Sequence, residues 1–155
     1  AAAANGRRIL VVDADQARRG LSARLGIADR PGLAEVLGGE LKANKAVVAK
    51  PRFAVLPVGL RTFDAAATAR ALRGFLGEAR SRFDLILIDA PAFDAGMDAA
   101  NLAAAADGLA LVACWDQLLR EDFIAVVDAV ADRPNFAGVI LNRVAAEEDE
   151  LALAG

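Results

Sequence analysis

The sequence predicts an α/β fold: a mostly parallel sheet wrapped by helices on both faces, in a three-layer doubly wound arrangement. Three observations carry this expectation. Short branched-aliphatic runs (ILVV, LILI, LALV and GVIL) read as strands buried on both faces. They alternate with stretches whose apolar residues recur at helical spacing, the pattern of strand-helix-strand units. Two of the runs end in acids, ILVVDAD and LILID, and in such sheets ligands collect at the C-terminal ends of the strands. With 155 residues, 56% hydrophobic and 5% aromatic, the chain is long enough to bury one proper core.

Residues 1–4 read as the tail of a helix stopped by Asn5-Gly6, and residues 8–12 as the first strand. Residues 17–25 place Leu21 and Leu25 on one helical face with arginines opposite, and Gly26 ends that helix. Pro31-Gly32 marks a loop before a short helix at 33–37, which Gly38-Gly39 closes. Residues 40–50, which hold all three lysines (Lys42, Lys45 and Lys50), read as a short helix and a weak edge strand. A strand at 53–56 is stopped by Pro57 and Gly59. Asp64 is a candidate N-cap for a helix from Ala65 to about Arg80, with Leu72, Leu76 and Ala79 as its buried stripe. After the second acid-tipped strand come a small-residue helix at 99–106, a strand at 109–113, a helix at 123–131 and a last strand at 138–141. Residues 1–144 are expected to form one domain, and 145–155, opened by EEDE, a flexible acidic tail.

Composition narrows the chemistry. A net charge of −3 gives no warrant for nucleic-acid binding. The absence of His and Tyr excludes histidine catalysis, histidine metal ligation and self-phosphorylation on tyrosine, leaving carboxylates, Arg, hydroxyls and backbone amides. The lone Cys114 reads as a buried core thiol, compatible with a reducing cytoplasm. No apolar run approaches a membrane span, so a membrane link is expected through a partner or another segment.

One Asp at a strand end is most simply the cap of the following helix. Two adjacent strands ending in Asp13, Asp15 and Asp89 favour an acidic, metal-binding cleft instead. RILVVDADQARRGLSARL and FDLILIDAPAFDAGMD look locally like response-regulator receiver segments. That resemblance fails on the length between Asp15 and Asp89, on the lack of lysine after Lys50, and on Ala113-Cys114 where Ser or Thr would stand.

From Arg7 to Val144 the chain resembles the bacterial tyrosine kinases of capsule and exopolysaccharide assembly (BY-kinases), which are P-loop ATPases of the MinD/ParA type. ILVVDAD looks like their D-x-D motif, RPGLAEVLGG their loop and short helix, and FAVLPVG their Leu-Pro-x-Gly strand end. FDLILIDAP resembles the Walker B strand with its trailing Pro91, MDAANLAAAADGLALV the next helix and strand, and GVILNRV the closing strand.

The resemblance implies ATP and Mg²⁺ as cofactors. Asp13 and Asp89 would orient the metal or its waters, and Asp15 would act as general base toward a tyrosine hydroxyl or water. Asn142 would meet the adenine edge, with Arg143 either stacking on the base or forming a surface ion pair. It further implies a cytoplasmic domain at the inner face of the membrane, a membrane-embedded polysaccharide co-polymerase as fused or separate partner, and homo-oligomers. Two departures stand out. Ala17 occupies the position of the Arg in the family's D-x-D-x-R, with Arg18 following. No lysine follows a glycine, so the Gly-Lys-Ser/Thr phosphate cradle is missing along with the first strand and most of the first helix. The chain is therefore expected to be an inactive fragment with unpaired strands, unstable unless an upstream segment or other filler completes the sheet. The alternatives are a degenerate non-catalytic regulatory or oligomerisation module and a MinD/ParA-type partitioning ATPase.

Overall fold

The computed structural model describes residues 6–64, 67, 69–92, 97–117 and 119–144. The helix tail expected at 1–4, Asn5, the helix start expected at Ala65 and the acidic tail at 145–155 lie outside the described residues. The chain divides into two compact units, residues 1–105 and 106–155.

In the first unit the elements are β1 (Ile9–Asp13), α1 (Gly20–Arg24), α2 (Leu33–Leu37), α3 (Ala43–Ala46), β2 (Val48–Ala49), β3 (Ala54–Leu56), α4 (Ala69–Arg80), β4 (Leu85–Asp89) and α5 (Met97–Ala105). Its sheet runs β2-β3-β1-β4. β1 is parallel to both neighbours, and the two-residue β2 joins antiparallel at the edge, where the weak strand was expected. Alternation along β1 sorts its side chains to two faces. Leu10 and Val12, with Leu56 of β3, meet Leu33 and Leu37 of α2, Leu72, Phe75 and Leu76 of α4, and Leu102 of α5 in one apolar cluster. Asp13 lies on the opposite face, where Ser22 of α1 meets it.

Two expectations in this unit need correction. β4 is not buried on both faces: Ile86 and Ile88 pack on the core, but Leu87 is 49% exposed. Among the described residues β4 has a strand partner on one side only, so less of the protein shields it. The helix expected from residue 17 begins at Gly20, because residues 16–18 form a turn and Arg19 takes a left-handed conformation at φ 52°. Its buried residue is Ser22, whereas Leu21 and Leu25 are only half-buried.

The second unit contains β5 (Leu109–Cys114), α6 (Arg120–Ala131) and β6 (Phe136–Asn142). β5 and β6 pair in parallel, with a bulge between Leu109 and Ala110 across from Phe136 and Gly138. Both α6 and β6 start earlier than their apolar cores suggested, by three and two residues. The pair is not the fully buried ribbon expected: Val112 and Ile140, opposite each other in register, are both more than half exposed. Cys114 is half-buried rather than a core thiol. No helix of the described residues is long and apolar enough to cross a membrane.

Candidate functional site

Parallel pairing of β1 with β4 brings Asp13 and Asp89 into the same register at the C-terminal ends of the two strands. The junction is fastened by the Ala14 amide, which donates to the Asp89 carbonyl at 2.9 Å.

The three acids have different surroundings. Asp13 is fully buried, and its charge is compensated by donors. Its Oδ2 accepts from the Ser22 amide at 2.8 Å and the Ser22 hydroxyl at 2.6 Å, and its Oδ1 from the Asp15 amide at 3.2 Å. Asp15 is 8% exposed; its Oδ1 accepts from the amides of Ala17 and Arg18, so it holds the turn before α1. Both acids thus perform the capping role at the start of α1. Asp89 lies exposed at the end of β4. Its pKa is raised, first by partial desolvation and then by the negative charges of Asp13 and Asp15, so the three carboxylates share one field. Pro91 follows two residues on, half-buried.

Among the described residues no group of three or more His, Cys, Asp or Glu could hold a metal ion unaided. Mg²⁺ does not require one, since it is commonly bound by one or two carboxylates together with phosphate oxygens and waters. At the Asp13–Asp89 junction only part of that smaller donor set is open. Asp89 is the member with an accessible carboxylate, while Asp13 already has three protein donors.

In the second unit Asn142 ends β6. Its carbonyl accepts from the Trp115 amide at 2.9 Å, and its Oδ1 from the Arg143 amide at 3.0 Å. Arg143 takes a left-handed φ of 63° and forms an exposed ion pair with Asp116 at 3.4 Å.

No protein-family model matches the chain. Over 152 residues it is 32% identical to the succinoglycan biosynthesis transport protein ExoP of Rhizobium meliloti (strain 1021), a match that takes in 91% of this chain and 19% of ExoP. The tyrosine kinase domain of BceF superposes with a TM-score of 0.77 at 25% identity, over 90% of this chain and 58% of that one. MinD from Pyrococcus horikoshii OT3, complexed with Mg-ADP, gives a TM-score of 0.69 at 26% identity, over 91% and 60%. In sequence and fold the chain is similar to the BY-kinase and MinD-like P-loop domains.

Several residues of this BY-kinase-like domain that organise the acids escaped sequence reasoning. Ser22, fully buried against Asp13, carried no signal beyond an ordinary helical serine. Glu35 is 7% exposed, and its Oε2 accepts from the Gly32 amide at 2.7 Å. Its place three residues into a helix start is a recognisable half of a capping box. Arg19, not Arg18, is the arginine put to use: its Nη2 donates to the carbonyls of Ala28 and Gly59, while Arg18 is exposed.

Proposed function

We propose that this BY-kinase-like domain handles Mg-ATP at the ends of β1 and β4, as the cytoplasmic ATPase or tyrosine-kinase-like part of an exopolysaccharide or capsule assembly protein. The observation that carries the reading is the register of Asp13 with Asp89, with Asp15 in the same field. Asp89 presents its carboxylate to Mg²⁺ or its waters. Asp13 anchors the turn behind it and adds negative potential, and Asp15 accepts the proton of a tyrosine hydroxyl or water.

Similarity to ExoP supports the polysaccharide setting, and the Mg-ADP complex of MinD supports the ligand. The chain spans 19% of ExoP, so a membrane-embedded co-polymerase partner, assembly into homo-oligomers and a place at the inner face of the membrane belong to this proposal. Calorimetry with Mg-ATP on the kinase-like region in its full-length protein tests it. Mg²⁺-dependent binding that weakens about tenfold or more in Asp13→Ala and Asp89→Ala is expected. No binding, or binding indifferent to both substitutions, overturns it.

A second reading has its own observation. The sequence contains no tyrosine, which favours a non-catalytic module that keeps the fold for docking or oligomerisation. ATP binding without turnover in the same experiment would select it.

A further inference from the structure

The loop after β3 is held by side chains from two distant parts of the chain. From α2, Glu35 Oε1 accepts from the amides of Leu60 and Arg61 at 3.0 and 3.1 Å, while the Leu33 and Ala34 amides donate to the carbonyls of Pro57 and Val58. From the segment behind the acids, Gln16 exchanges two hydrogen bonds with the backbone of Phe63, and Arg19 donates to the Gly59 carbonyl. Between these grips the Val58 amide donates to Ser22 Oγ at 3.2 Å.

The direction of that central chain is fixed by chemistry. The Val58 N–H can only donate, so the Ser22 hydroxyl accepts from it and turns its own proton to Asp13 Oδ2. The lost alternative matters because all three groups are buried, where a misdirected hydroxyl would leave the Val58 donor unsatisfied and Asp13 Oδ2 with the Ser22 amide as its remaining donor.

We infer that Ser22 and Glu35 are positioning residues for Asp13: the loop at 57–61, closed by Glu35, holds the Ser22 hydroxyl in the orientation that fixes the Asp13 carboxylate. The functional meaning rests on the proposed Mg-ATP site; the hydrogen-bond chain does not. Asp13 is thereby tied to a loop more than forty residues away, and the motifs RPGLAEVLGG and FAVLPVG become parts of one clamp.

NMR on the 155-residue chain, without nucleotide, tests the link. In Glu35→Gln, amide exchange should quicken roughly tenfold or more at Gly32, Leu60 and Arg61, and also at Val58, Ser22 and Asp15, while Ile86 and Ile88 keep wild-type protection. Ser22→Ala should move the Asp13 side-chain carboxyl carbon resonance and quicken Val58 and Asp15, leaving Leu60 and Arg61 protected. Ser22→Thr, which keeps the hydroxyl, should restore the resonance. Loosening at Leu60 and Arg61 with Asp15 and the Asp13 resonance unchanged overturns the inference. If Glu35→Gln does not fold, the serine pair decides alone: an Asp13 resonance unmoved by Ser22→Ala overturns it. Because no nucleotide is present, failure of Mg-ATP binding is a separate result.

Discussion

Asp13 and Asp89 face each other across the β1–β4 ladder, one fully buried and saturated with donors, the other at the exposed end of its strand. The buried charge and that of Asp15 make ionisation of Asp89 harder. A carboxyl whose folded pKa is raised opposes folding once it ionises. That penalty grows as pH rises from the ordinary carboxylate range through the raised folded value. Asp89→Asn should therefore raise the thermal midpoint at neutral pH while weakening Mg²⁺-dependent nucleotide binding. A midpoint that falls would contradict the shared field.

Glu35 works in the other direction. Its pKa is subject first to desolvation, which raises it. The amides of Gly32, Leu60, Glu35 and Arg61 together outweigh that effect, and the net shift is downward. The stabilisation is present above the unfolded carboxylate pKa and is lost as pH falls through the depressed folded value. Glu35→Gln should cost roughly 1–3 kcal/mol at neutral pH, because an amide cannot accept from all these donors. Denaturant midpoints should show the variant and wild type converging in acid.

Glycine is required where α2 meets the loop after β3. A Cβ on Gly32 would lie 2.0 Å from the Pro57 carbonyl oxygen, and Gly59, at φ +104°, would place one 2.5 Å from Glu35 Oε2. The first clash is with backbone, which has no rotamer to change. Gly32→Ala should destabilise by about 3 kcal/mol. Gly59→Ala adds backbone strain and should lower the midpoint as well. Chemical denaturation with unchanged m-values would check both.

At the opposite end of the same strands, Arg8 and Asp84 form a two-pronged pair, and Asp84 Oδ2 also accepts from the Arg8 amide at 2.7 Å. Both side chains are solvent-exposed, yet the pair draws the Asp84 pKa down to about 2, chiefly through the Arg8 side-chain hydrogen bond. Its contribution should be intact above the unfolded carboxylate value and fade as pH falls toward about 2. Asp84→Asn should remove that part of the acid limb, seen in unfolding midpoints between about pH 4 and 2.

Much of the architecture was legible without coordinates. The short helix at 33–37, the weak edge strand before β3 and the acid-tipped β1 and β4 follow from local patterns: glycine stops, branched aliphatic runs and polar ends. Element starts were less legible. At residues 16–19 the Asp15 carboxylate takes the Ala17 and Arg18 amides, and that side-chain competition delays α1.

By itself the sequence determined the α/β class, the order of strands and helices along the chain, and which acids stand at strand ends. Those depend on periodicity and on residue types within a few positions of one another. Only the tertiary structure decided that Asp13 and Asp89 share a register, that Asp13 is buried while Asp89 is open, and that Ser22 and Glu35 tie the acids to the loop at 57–61. Hydrogen bonds between residues tens of positions apart leave no period in the sequence, because each partner reads locally as an ordinary serine, glutamate or glycine.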